Sequence, residues 1–274
     1  MPVRLGTAAL VAAIAAVAAG SGVARPAAPL PGWMQIAAGT AGGTVWQGRI
    51  PEAGAGRKPL PGLVYLPPGF SPSARYPLLV LLHGVPGDAW SVVLGLRLAA
   101  AADAPIAAGR ATPFVAVAPS GGAGPRAVQS WSGRWARWLV GQVVPWTRRA
   151  LPVETGRSAV IAGLSSGADG AVVIGLANPR LFGTIEAWSG SFAEPSEWRL
   201  DGEAPLLRRL GMRFYLSSGT ADRAVARATV AYDRALARFG LRQTVRLLPG
   251  GHDGRFWRAQ LPDALAYAFS RPVP

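Results

Sequence analysis

Short apolar runs alternate with amphipathic stretches along most of the chain. Runs at 44–47, 62–66, 76–82, 113–118, 158–162, 183–188, 212–217 and 244–248 predict eight strands. Several are apolar without interruption, such as Pro77-Leu78-Leu79-Val80-Leu81-Leu82. That pattern suits strands covered on both faces of a mostly parallel sheet. Between them, 90–102, 132–150, 168–178, 223–239 and 255–269 predict helices. In 223–239, Val225, Tyr232, Leu236 and Phe239 fall on one narrow helical arc, and Arg223, Arg227, Arg234 and Arg238 on the opposite one. Gly240 supplies the stop. The alternation predicts one doubly wound α/β domain over 45–274, with about eight strands and helices on both faces.

The first 44 residues read differently. Arg4 and the amino terminus precede an apolar stretch from Ala8 to Ala19, and small residues run on to Ala24. This order predicts a secretory signal peptide over 1–24, cleaved after Ala24. The roughly 20 uncharged residues before that point would also span a bilayer, so an uncleaved anchor is the alternative. Their Ala- and Gly-rich make-up inserts weakly and favours cleavage. Either way the body is expected outside the cytoplasm, secreted or at the cell envelope. Residues 25–44, rich in Pro, Gly and Ala, read as a linker.

Composition narrows the chemistry. A chain of 274 residues, half hydrophobic and 15% charged, is neither disordered nor fibrous. With no Cys it has no disulfide, no thiolate nucleophile and no Cys-type metal or iron–sulfur site. Two His leave little for a metal, and neither metal nor cofactor is predicted. The net charge of +14 is carried by arginines, with Lys58 the one lysine. They are spread along the chain rather than gathered into a motif, so nucleic acid is not the predicted partner. A surface of this kind favours solubility and encounter with anionic envelopes or ligands.

Gly163-Leu164-Ser165-Ser166-Gly167 is the one G-x-S-x-G in the chain. Chance would supply roughly 0.3 such matches, so context must decide. A β-rich run leads in and a helical run leads out, the strand–turn–helix of a nucleophile elbow. A serine hydroxyl needs a base. Of the two histidines only His252 lies after Ser165, in the order Ser, acid, His of this arrangement. The acid is expected at the end of an intervening strand, which selects Asp222 after 212–217. Asp222 also stands where the 223–239 helix wants an N-cap, and Asp253 and Asp233 are its rivals. His83-Gly84-Val85-Pro86-Gly87 follows the third strand, where the first oxyanion donor belongs. The expected donors are the backbone N–H groups of Val85 and Ser166, since Pro86 has none. His83 then shapes that loop. Trp131, Trp135, Trp138, Trp188 and Trp257 could line an acyl or aryl pocket, although core packing is the commoner use of tryptophan.

Together these residues resemble the putative-esterase family of α/β-hydrolases. That group includes S-formylglutathione hydrolases, enterochelin esterases, feruloyl and acetylxylan esterases and mycolyltransferases. The similarity runs from about Leu60 to Phe269. It rests on Leu81-Leu82-His83-Gly84, Ala162-Gly163-Leu164-Ser165-Ser166-Gly167, Asn178-Pro179-Arg180-Leu181-Phe182-Gly183, Trp188-Ser189-Gly190, Ser218-Gly219-Thr220-Ala221-Asp222, and Gly251-His252-Asp253 with Trp257. The resemblance implies Ser165 as nucleophile, Asp222 as acid and His252 as base. Ala168 and Asp169 replace the glycine that usually continues the elbow, and Gly254 stands where an aromatic residue often follows the histidine. No counterpart of the enterochelin esterases' additional N-terminal domain is expected in this sequence. The expectation is an exported serine carboxylic-ester hydrolase, acting through an acyl-enzyme on a small-molecule or envelope ester. The same chemistry with a sugar or lipid alcohol as acceptor would make it an acyltransferase. A non-catalytic surface-binding protein on the same scaffold is the third reading.

Overall fold

The structure is a computed structural model that describes residues 29–52, 58–121, 130–192 and 195–270, with the side chains of 195–199 left out. The predicted signal peptide lies outside the described residues. Nine strands form one sheet in the order β1-β2-β3-β5-β4-β6-β7-β8-β9. They are β1 (Met34–Ala38), β2 (Thr44–Ile50), β3 (Leu60–Leu66), β4 (Leu78–Leu82), β5 (Val115–Pro119), β6 (Ala159–Leu164), β7 (Phe182–Trp188), β8 (Arg213–Gly219) and β9 (Arg242–Leu248). From β5 across to β9 neighbouring strands run parallel, while β1, β2 and β3 pair antiparallel on one flank.

The unbroken apolar runs occupy the centre, as their pattern predicts. Every residue of β4, β5 and β6 is buried. Successive side chains point to opposite faces, so Leu78, Val80 and Leu82 enter one core while Leu79 and Leu81 enter the other. The first core is closed by α5 (Ser166–Ala177), α6 (Pro195–Arg209) and α7 (Arg223–Arg238), and by α3 (Gly133–Trp138), which continues through a π-helical turn into α4 (Val144–Ala150). The second lies under α1 (Ala89–Val93), α2 (Leu98–Ala107) and α8 (Gly254–Ala268). Each fully buried Leu, Val or Phe contributes roughly 1.5–3 kcal/mol by leaving water. On α7, Tyr232 and Leu236 are buried and all four predicted outward arginines are exposed.

Three expectations need correction. The linker placed at 25–44 contains β1, which pairs with β2 through a bulge between Gln35 and Ala37. Its side chains are largely exposed, so no buried alternation marks it in the sequence. A remote carboxylate holds the hairpin in place. Ala41 and Gly43 donate backbone N–H groups to Asp103 Oδ2 at 2.9 and 3.1 Å, and Tyr65 donates its hydroxyl to Oδ1 at 2.9 Å. The helix expected at 90–102 is two helices, because Arg97 takes a left-handed conformation (φ 55°) between α1 and α2. The third is α6, absent from the sequence prediction. Its buried positions Leu200, Ala204 and Leu207 keep helical spacing, but Gly202 and Pro205 interrupt the pattern.

Candidate active site

The C-terminal ends of the parallel strands place the chemistry. Ser165 sits between β6 and α5 with φ 53° and ψ −127°, a strained backbone for a residue with a side chain. Two glycines make the turn sterically feasible. A Cβ on Gly163 would lie 2.3 Å from the Gly167 carbonyl oxygen, and one on Gly167 would lie 2.4 Å from that of Leu82. The turn is tied to the sheet by the Ser165 N–H, which donates to the Trp188 carbonyl at 2.9 Å. The bend projects Ser165 at the strand's end while α5 begins beneath it, with its partial positive charge at that end.

His252 follows β9 in the loop that leads into α8. Its Nε2 stands 2.9 Å from Ser165 Oγ, and its Nδ1 stands 2.7 Å from Asp222 Oδ2. The structure therefore brings together all three residues singled out for the triad, from the ends of β6, β8 and β9. Both sequence readings of Asp222 hold at once, divided between its oxygens: Oδ2 meets His252, while Oδ1 accepts the Val225 N–H at 3.5 Å as the N-cap of α7. The rival Asp253 is occupied elsewhere. Its Oδ1 caps α8 by accepting the N–H groups of Arg255 and Phe256 at 2.8 and 3.1 Å. The Phe256 N–H above all, then that of Arg255, holds the Asp253 carboxyl below the usual aspartate range. Asp233 lies in the interior of α7.

The two expected oxyanion donors flank the serine. Val85 lines the cleft beside Ser165, and Ser166 begins α5. Among the described residues, neither backbone N–H has a hydrogen-bond partner. The preceding loop packs tightly against the elbow, since a Cβ on Gly84 would come within 3.1 Å of Ser165 Cβ. His83 is buried there. Its Nδ1–H donates to the Gly84 carbonyl at 2.7 Å, and its own carbonyl accepts the Trp131 indole N–H at 2.8 Å. Burial pushes its pKa down, against the smaller upward pull of the Gly84 bond and Asp88.

The cleft at this point has a volume of about 520 Å³. Val85, Pro86, Leu96, Leu164 and Trp257 form its apolar wall. Of the five tryptophans considered, Trp257 alone faces the cleft among the described residues, while the other four are buried in the cores. Sequence reasoning gave two residues here no role in the site. Ser189 accepts the Trp257 indole N–H at 3.0 Å, and that indole stands edge-on to the His252 ring at 5.1 Å. Asp169, noted in the sequence only as a departure from the family's glycine, accepts from the backbone N–H groups of Ser191 and Phe192 and from the Ser191 hydroxyl, at 2.8–2.9 Å. It holds the loop after β7 against the elbow. Its position four residues after Ser165 was the available signal.

A family model described as "Putative esterase" matches residues 57–268. Among solved structures, a ferulic acid esterase superposes with a TM-score of 0.75 at 20% identity, over 83% of this chain and 98% of that one. The substrate-bound fluorophosphonate-binding serine hydrolase F of Staphylococcus aureus gives 0.69 at 15% identity, over 82% and 98%. A mutant of the feruloyl esterase module from Clostridium thermocellum, complexed with sinapinate, gives 0.69 at 17% identity, over 86% and 93%. At such identities the likeness is one of fold, and it is that of the α/β-hydrolases.

Proposed function

The chain belongs to the Putative esterase family and is an ester hydrolase, and from that premise we propose that it is an exported serine esterase working through an acyl-enzyme on Ser165. The observation that carries the reading is the unbroken contact from Asp222 Oδ2 through both ring nitrogens of His252 to Ser165 Oγ. Ser165 Oγ attacks the ester carbonyl carbon as its proton passes to His252 Nε2. Asp222 holds the Nδ1–H and stabilises the imidazolium that forms. The Val85 and Ser166 N–H groups receive the oxyanion, where preorganised donors act most strongly. The tetrahedral intermediate collapses, the C–O bond to the alcohol breaks, and His252 returns the proton to the leaving alkoxide. Water then attacks the acyl-Ser165 ester, with His252 as base, releasing the acid and the serine.

Water as acceptor follows from the ester-hydrolase family, and the His252 side chain, 38% exposed at the cleft, is open to it. A small-molecule ester is the proposed substrate. One neighbour in fold is complexed with sinapinate, and the apolar cleft suits an acyl or aryl group of that size. Export rests on the charged, apolar and small-residue order of residues 1–24. The test combines fluorophosphonate labelling with turnover of short para-nitrophenyl esters. The wild type is expected to label and to hydrolyse, and Ser165→Ala to do neither while keeping its melting temperature. Labelling or full activity in Ser165→Ala would overturn the assignment.

A further inference from the structure

Three residues of the first turns of α8, Gly254, Trp257 and Arg258, stand at helical spacing and line the cleft together. Arg258 is the one formally charged residue among the described residues of that lining. Its guanidinium is held at the rim by one bond, Nη2 to the Gly95 carbonyl at 2.9 Å. That contact uses one of five N–H donors and leaves the rest of the fork to a ligand. Among the described residues no carboxylate lies within ion-pair distance of this guanidinium. Gly254 adds to the opening. Its φ is not positive and a Cβ there would meet nothing within 4 Å, so neither backbone strain nor close packing requires glycine. Its consequence is an unfilled wall one helical turn before the arginine.

We propose that Arg258 determines specificity, and that the preferred esters carry an anionic group which its guanidinium receives while Ser165 attacks the carbonyl. This deepens the ester-hydrolase reading and rests on it. An anion in the cleft meets a planar, permanently charged donor set that can bind it bidentately at the rim, beside apolar walls. A neutral ester of the same size gains only the apolar contact.

The test compares kcat/KM within two pairs of esters. Para-nitrophenyl butyrate against para-nitrophenyl hemiglutarate places the anion on the acyl side. Phenyl acetate against para-sulfophenyl acetate places it on the alcohol side. The wild type is expected to favour the anionic member of one pair, which identifies the side. Arg258→Gln is expected to lower that anionic-to-neutral ratio about tenfold, and Arg258→Lys to restore part of it. Arg234→Gln, on the exposed face of α7, controls for the field of the whole +14 chain and is expected to leave the ratio as it was. The proposal is overturned if Arg258→Gln leaves both ratios at the wild-type value, or if Arg234→Gln lowers the ratio equally. Turnover of the neutral esters tests the hydrolase reading separately. If the wild type cleaves no ester, that reading falls and takes this one with it.

Discussion

The chain's two histidines occupy equivalent places, each just beyond the C-terminal end of a parallel strand, yet their surroundings are opposite. His83 follows β4 and is 1% exposed, while the His252 side chain beyond β9 is 38% exposed. The His83 Nδ1–H is spent on the carbonyl of the next residue, and its Nε2 is buried with no partner among the described residues. His252 has the Asp222 carboxylate on one ring nitrogen and the Ser165 hydroxyl on the other. A strand end supplies position alone. A base also needs room for its charged form and a carboxylate to stabilise it, and only the loop after β9 provides both. The burial of His83 instead shapes the loop that presents Val85.

The sharpest way to break this comparison is to remove the proposed catalytic side chains. Ser165→Ala and His252→Ala are each expected to lower kcat by about ten-thousandfold to a millionfold, with thermal unfolding curves close to the wild type. His83→Gln, measured in the same assay, should keep far more activity. Equal losses at the two histidines would remove the distinction.

Asp222→Asn separates the two oxygens of one carboxylate. The loss at Oδ2 is expected to cost about ten-thousandfold in kcat, as the imidazole loses its charge partner. The cap at Oδ1 survives, because Asn is as good an N-cap as Asp, so urea unfolding should shift by less than about 0.5 kcal/mol. Smaller effects are expected where the histidine is only steadied. Ser189→Ala removes the acceptor for Trp257 and should lower kcat by about three- to tenfold with KM little changed, a loss of order 1 kcal/mol.

The smallest effect concerns His83 and appears in stability. Because burial lowers its folded pKa below the ordinary value of 6.5, the unfolded chain takes up a proton first as pH falls. His83 therefore reduces stability below about pH 6.5, by at most about 1.4 kcal/mol per pH unit, until the folded pKa is reached. Above that range its contribution is constant. His83→Gln should flatten this part of the pH–stability curve, read by urea unfolding, while the acid limb of the kcat/KM profile stays in place. A shifted acid limb would instead show His83 acting on the chemistry.

What could be read in advance divides along physical lines. The central strands were legible because burial on both faces demands continuous apolar runs, as in Leu78–Leu82. The face of α7 was legible because one helix surface meets the core and the other meets water. Strand β1 was not, since its exposed side chains leave no periodic trace and its hairpin is held by Asp103, some 60 residues away. The break between α1 and α2 was equally hidden in an Ala- and Leu-rich stretch that suits one continuous helix. At the site, the elbow glycines and the order of Ser165, Asp222 and His252 could be found by elimination among few candidates. The brace from Ser189 to Trp257 could not, because its partners are 68 residues apart and belong to no local pattern.

The sequence by itself therefore determined the strand–helix alternation, the sharp turn at Ser165 and the shortlist of groups able to do acid–base chemistry. These follow from local sterics, periodicity and composition, which adjacent residues encode. Only the tertiary structure decided which oxygen of Asp222 faces His252, which tryptophan reaches the cleft, and that one arginine stands on its wall. Those outcomes depend on where the ends of β6, β8 and β9 converge. That convergence comes from the packing of two cores across the whole sheet, which no short stretch of sequence contains.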